Sequence, residues 1–221
     1  MRMTRTGRFF RAELEPPPWL YVRMAQGPIF RLIYRRLVAD LAGSLPLRAR
    51  LLDVGTGPGY LLDHLAQKRP DLHLFGLDLS YDMIRRSRQR AGSSLAPLKF
   101  LVANALALPC PNQIFDQVLA TFSFHNWQEP GVGVREVRRV LRPEGRAWIY
   151  EMNREASISD LRAFARKEKI PFPLLYLGFR TVSWHHGLRA QDFKAIFRQA
   201  GAVRWQLRPV HHLFWRGELE A

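Results

Sequence analysis

The chain has almost no cysteine: Cys110 is the one example among 221 residues. That excludes an intrachain disulfide and a zinc site built from cysteines, and it fits a reducing, cytoplasmic setting. Long apolar runs are also missing. Arginines interrupt every stretch before it reaches the roughly 18 residues a membrane span needs. The start, Met1 to Phe10, is basic but is not followed by an unbroken apolar segment, which argues against a signal peptide. A chain peripheral to a membrane at most is therefore expected. Acidic residues are scarce, 19 against 34 Lys and Arg, for a net charge of +15.

The charge is unevenly placed. Ten basic residues face three acidic ones over 1–50, twelve face nine over 51–150, and twelve face seven over 151–221. The excess therefore sits in the flanks, where a polyanion such as RNA or an anionic membrane surface is a candidate partner. A solvated surface in an arginine-favouring composition gives the same count. Hydrophobic residues make up 47%, enough for one sizeable core with a small appendage.

Residues 1–18 form a basic arm ending in Pro16-Pro17-Pro18, a composition that favours extended chain. The rest, 19–221, reads as a single domain. Over 19–46 apolar residues recur at helical spacing, as in Ile29, Leu32, Ile33, Leu37 and Leu41, which predicts a helical cover of one or two helices ended by Pro46. Over 47–151 short apolar runs alternate with amphipathic stretches, the pattern of β-α-β units and a parallel sheet. Strands are predicted at Leu51–Val54, Leu72–Leu77, Leu98–Val102, Gln117–Thr121 and Ala147–Glu151. The helices between them are Tyr60–Lys68, Tyr81–Ala91 and Gly131–Val140, with Ser80 capping the second and Gly92 stopping it. Residues 152–190 read as an insertion with a helix at Ile158–Lys169, a break at Pro171 and Pro173, and an apolar stretch bearing His185-His186. A last helix at Gln191–Gln199 and two strands near Val203–Leu207 and His211–Trp215 complete 191–221, the strands forming a hairpin across Pro209. The expected fold is a Rossmann-like, doubly wound α/β sheet of seven strands, mostly parallel with an antiparallel C-terminal hairpin.

The strongest chemical signal is Asp53-Val54-Gly55-Thr56-Gly57-Pro58-Gly59, directly after a strand and before a helix. Glycine is needed where the backbone turns tightly and a ligand lies against it with no Cβ between. A dinucleotide fingerprint would space its glycines as G-x-G-x-x-G and aim a helix N-terminus at a pyrophosphate. Here the third glycine arrives one residue early and Tyr60 takes its place, which suits a nucleoside lacking phosphate. Asp78 closes the second predicted strand, where a carboxylate can accept from both ribose hydroxyls.

With Asn104-Ala105, Phe115-Asp116-Gln117-Val118 and the run Arg139-Val140-Leu141-Arg142-Pro143-Glu144-Gly145, the chain resembles the class I S-adenosylmethionine-dependent methyltransferases, in the type 11 group that includes ubiquinone/menaquinone-biosynthesis enzymes. The resemblance spans about 20 to 151 and, loosely, the last strands. It implies S-adenosylmethionine as cofactor over the 47–151 core, with 152–190 as substrate cover. By motif, Asp53, Gly55, Thr56, Gly57 and Gly59 would border the methionine tail, Asp78 the ribose, and Leu79 and Met83 the adenine. Asn104 and Ala105 would lie at the far edge, where the family usually has an aspartate that accepts from the adenine amino group. Thr121 and Phe122 open the segment that passes beside the sulfonium.

Methyl transfer is an in-line displacement that needs alignment above all. A base helps where the acceptor must lose a proton, and His125 is the candidate because imidazole accepts one near neutral pH. Tyr21, His125, Trp127, Tyr176, Trp184 and His185 are candidate contacts for a small apolar or aromatic acceptor. No metal is expected: His185-His186 and His211-His212 are adjacent pairs, and neighbours on a strand face opposite ways. An RNA acceptor and an inactive, cofactor-binding regulatory or assembly protein are the competing readings.

Overall fold

The computed structural model describes residues 27–92 and 97–221. The basic arm, the first part of the helical cover and Tyr21 lie outside the described residues, as does the side chain of His185. The first described helix is α1 (Pro28–Ala42), with proline in its first turn, where a missing N–H does no harm. Then follow β1 (Arg50–Val54), α2 (Tyr60–Lys68), β2 (His73–Asp78), α3 (Tyr81–Ala91), β3 (Leu98–Val102) and β4 (Phe115–Thr121). The chain continues through α4 (Pro130–Val140), β5 (Leu141–Met152), α5 (Ile158–Glu168), α6 (Phe172–His186), α7 (Ala190–Gln199), β6 (Trp205–Val210) and β7 (Phe214–Glu220).

The seven strands form one sheet in the order β3-β2-β1-β4-β5-β7-β6. The first five are parallel, and β7 runs antiparallel to both β5 and β6. Alternate residues of the central strands feed two cores. Leu51, Trp148 and Tyr150 join Leu37, Leu41, Leu62, Leu65 and Phe164 on one face. Leu52, Val54, Ala147 and Ile149 join Val134, Val137, Phe193 and Phe197 on the other. Burial on both faces is what keeps central parallel strands nearly continuous in apolar residues. The strand order reverses between β1 and β4, which opens a crevice beyond their carboxyl ends, the place where such sheets bind ligands.

The structure departs most from the expectation at three places. The C-terminal hairpin turns at His211–Leu213, not at Pro209, with His211 and His212 in left-handed conformation (φ 48° and 65°). Pro209 is accommodated inside β6 because that strand is the sheet edge and needs no ladder hydrogen bond on its outer side. Residues 172–186 form a full helix in place of an apolar stretch, since Pro171 is its N-cap and Pro173 lies in its first turn. His185 and His186 therefore end a helix, and the strand argument about their directions does not apply to them. Finally, β5 starts at Leu141, six residues before the predicted Ala147, because Leu141 pairs with Phe115 ahead of a register shift.

Caps fix the ends of the helices. The Ser80 hydroxyl accepts from the Met83 N–H at 3.4 Å, and Ser157 and Asp160 form a reciprocal capping box on α5. Among the described residues no helix is long and apolar enough to cross a membrane.

Candidate functional site: the glycine turn and the His125–Glu151 pair

β1 ends at Val54, and the chain turns at once through Gly55, Gly57 and Gly59 with φ of 76°, 55° and 79°. At Gly55 only hydrogen fits: a Cβ there would stand 2.3 Å from the Ser123 Cβ. Ser123 in turn donates its hydroxyl to the Val54 carbonyl at 2.7 Å, tying the turn to the end of β4. The Gly55 and Thr56 N–H groups donate to the Leu77 carbonyl on β2. Asp78 completes this frame, its carboxylate accepting from the Gly57 N–H at 2.8 Å and the Ser80 N–H at 2.9 Å.

Asp53 is 2% exposed and its Oδ1 has no hydrogen-bond partner among the described residues. Burial raises its pKa from 3.8 to about 7, the Thr56 side chain offsetting part of that rise and the nearby Asp78 adding to it. Asp78 is raised as well, chiefly by burial and against the hydrogen bonds from Ser80 and Gly57. Thr121 Oγ1 is likewise buried without a partner among the described residues. Phe122, next in the chain, is left-handed at φ 53°, a costly conformation for an aromatic residue. It is held by its N–H to the Tyr150 carbonyl at 2.9 Å and by its ring 5.4 Å from Phe214.

The other predicted cofactor residues follow β2 and β3 in the chain. Leu79 is exposed and Met83 buried. Asn104 turns its amide oxygen to the Leu106 N–H at 2.9 Å, with half-buried Ala105 beside it.

After β4 a short 3-10 turn, Phe124–Asn126, presents His125. Phe124 anchors the turn in the core, 5.0 Å from Trp127 and 5.8 Å from Phe193. His125 Nδ1 lies 3.0 Å from both carboxylate oxygens of Glu151, and its backbone N–H donates to Oε1 of the same residue at 3.2 Å. Glu151, at the end of β5, is fully buried. The His186 ring, at the end of α6, sits 4.9 Å from that of His125. Sequence reasoning misses Glu151. The available signal is a carboxylate closing the buried apolar strand Trp148-Ile149-Tyr150, a position that only a partner makes tolerable.

The candidate acceptor contacts scatter. Trp127 is 6% exposed and packs on Gly133 in the second core, so it supports the site from behind. Tyr176 lies ten residues before His186 on α6, about 15 Å along the axis. Trp184 is largely exposed, with the Arg154 guanidinium over its ring at 4.5 Å. Among the described residues no three His, Cys, Asp or Glu side chains gather as a metal site would require.

Residues 52–149 match the family model described as "Methyltransferase domain". The demethylmenaquinone methyltransferase of Deinococcus radiodurans is 36% identical over 108 residues, 49% of this chain and 45% of that protein. The chain thus matches about half the length of that relative. The demethylmenaquinone methyltransferase of Renibacterium salmoninarum is 32% identical over 210 residues, 85% of this chain and 83% of that protein. In fold, the chain is similar to a SAM-dependent methyltransferase from Aquifex aeolicus with a TM-score of 0.69, at 18% identity over 93% of this chain and 98% of that one.

The residues at the turn fit such a cofactor. Three glycines in left-handed conformation bare the backbone, and Asp53 offers a buried carboxylate whose Oδ1 lacks a donor, a counter-charge for a cationic ligand. With the family model across the central strands and sequence identity extending over most of a relative, the chain belongs to the class I S-adenosylmethionine-dependent methyltransferases, in the group of the ubiquinone/menaquinone-biosynthesis enzymes.

Proposed function

We propose that the chain methylates a small, largely apolar aromatic acceptor of the quinone class, in its reduced, hydroxyl-bearing form, with His125 as the proton acceptor. The observation that carries this reading is the pairing of His125 with a fully buried carboxylate, Glu151, beside the glycine turn. The names of the relatives, demethylmenaquinone methyltransferases, support the acceptor class.

In this reading Asp53, Gly55, Thr56, Gly57 and Gly59 hold the methionine portion of the cofactor. Asp78 still has lone pairs for the ribose after accepting from Gly57 and Ser80. Leu79 and Met83 cover the adenine, Asn104 and Ala105 border its edge, and Thr121 and Phe122 pass beside the sulfonium. When bound, S-adenosylmethionine supplies a methyl carbon activated by positively charged sulfur. Glu151 accepts the Nδ1 hydrogen of His125 and so leaves the lone pair on Nε2. Nε2 takes the proton that the acceptor loses as it becomes nucleophilic, and the Glu151 charge stabilises the imidazolium that results. The buried apolar floor from Phe124 and Trp127 keeps this pair rigid.

The test is incubation of the purified chain with methyl-labelled cofactor and reduced demethylmenaquinone. Label in the quinone fraction is expected. A chain whose calorimetric titration shows no heat with either S-adenosylmethionine or its demethylated product would overturn the reading.

A further inference from the structure

Helix α6 is apolar on two sides, and the core covers one of them. Leu175, Phe179 and Ser183 face inward, at 5%, 6% and 2% exposure. Leu174, Leu177, Thr181 and Trp184 follow the same spacing of three and four residues along the outward side. There Leu174 is 62%, Leu177 69% and Trp184 66% exposed.

The ground at the start of the same helix is cationic. An open cleft of about 480 Å³ at the start of α6 is lined by Arg162, Arg166 and Lys169 together with Ala165, Ile170, Pro171 and Phe172. Among the described residues no acidic side chain lines it. Glu168, the nearest carboxylate in sequence, is engaged by Arg36 at 2.5 Å. Among the described residues Arg162, Arg166 and Lys169 make no ion pair. The first turn of α6 has no acidic residue either, so its positive helix end adds to the field.

We propose that this face docks on an anionic bilayer surface, Leu174, Leu177 and Trp184 entering the interfacial layer while Arg162, Arg166 and Lys169 meet lipid phosphates. Apolar side chains flanked by cations are what an interfacial helix offers to such a surface, each part supplying what the other lacks. A second copy of the chain is a poor occupant, because it would bring like charges together. RNA is a poor one too, since its phosphates gain nothing from two leucines.

The helix also connects the two places. Its last residue, His186, lies 4.9 Å from His125, ring to ring, while Leu174 and Leu177 stand near the other end, roughly 18 and 14 Å away along the axis. Given the acceptor class proposed above, on which this step rests, a lipid-soluble acceptor leaving the bilayer would reach the site along one element.

The experiment is co-sedimentation of the full chain with vesicles of phosphatidylglycerol and phosphatidylcholine, or of phosphatidylcholine alone, at physiological salt. About tenfold more protein is expected on the anionic vesicles. The double variants L174S/L177S and R166E/K169E should each lower that fraction by about fivefold or more, with calorimetric affinity for S-adenosylmethionine unchanged as the control for folding. Four outcomes overturn the proposal: equal binding to both vesicle types, binding that neither double variant alters, a dimer by light scattering that L174S/L177S disperses, or RNA retention that R166E/K169E abolishes. Because sedimentation needs no acceptor, vesicle docking can succeed while methyl transfer to a quinone fails, and the reverse.

Discussion

The two halves of the crevice are built from different materials. At the ends of β1 and β2 the framework is backbone: three left-handed glycines, N–H groups donated to the Leu77 carbonyl, and Asp78 accepting two more. Apart from the Ser123 hydroxyl on the Val54 carbonyl, everything there lies between Asp53 and Ser80. At the ends of β4 and β5 the framework is side chain: His125, Glu151 and His186 converge from three elements across 61 residues of sequence. A site of backbone is broken by adding atoms, whereas a site of side chains is broken by exchanging them.

The largest effect belongs to the side-chain half. His125→Ala should lower kcat by about 10²- to 10⁴-fold, the range of a general base, with the calorimetric affinity for cofactor unchanged. Glu151→Gln keeps the shape but removes the charge, and a fall of about tenfold or more in kcat is expected with the cofactor affinity again intact. A His125→Ala enzyme that keeps its rate would reduce the pair to a structural contact.

Next in size comes Asp53, where the backbone half carries a built-in destabilisation. Its folded pKa, about 7 against 3.8, means the native state holds a proton that the unfolded chain has already lost between those values. Stability of the unliganded chain therefore falls as pH rises from about 4 to about 7 and stays low above. Asp53→Asn should raise unfolding stability at pH 8 by between about 1 and 4 kcal/mol, the upper end being that pKa difference converted at about 1.4 kcal/mol for each tenfold change in proton affinity. The gain should vanish below pH about 4. The same variant should bind S-adenosylmethionine more weakly, because the buried carboxylate is then lost as a counter-charge. A stabilised variant with full affinity would remove Asp53 from the site.

The contrast in materials also explains what is legible in the sequence. The glycine turn and Asp78 are readable because a backbone cradle demands particular residues at fixed local spacing. The five parallel strands are readable for a similar reason, since burial on both faces leaves continuous apolar runs. Glu151 is not, because nothing local distinguishes a carboxylate that has a partner 26 residues away from one that merely ends a strand. The helical state of 172–186 is obscured by Pro171 and Pro173, which break helices in their interiors but begin this one. Pro209 misplaces the last turn because its spacing does not reveal that β6 lies at the edge. Trp127 reads as a pocket residue beside His125, yet packs behind it, because a 3-10 turn changes direction within three residues.

Gly55→Ala then tests the claim that the first half fails by addition. The new methyl meets Ser123 at 2.3 Å, and φ of 76° is unfavourable for alanine in any surroundings. A loss of about 1–3 kcal/mol in unfolding stability is expected, together with weaker cofactor binding. Ser123 is the lever that separates the two causes: Gly55→Ala combined with Ser123→Gly removes the clash and leaves the backbone strain, so partial recovery in a denaturant titration would apportion them.

The smallest effect is expected at Asn104, and it runs in the favourable direction. The Asn104 amide oxygen is committed to the Leu106 N–H at 2.9 Å, which leaves the NH₂ as the free end of the group. An adenine amino group needs an acceptor, and two donors facing each other gain nothing. Asn104→Asp would keep the bond to Leu106 and turn the second atom into a charged acceptor, so the affinity for S-adenosylmethionine should tighten by about two- to fivefold by calorimetry. A loss of affinity would mean that the adenine lies elsewhere, and that the local spacing which located the glycine turn does not extend to the end of β3.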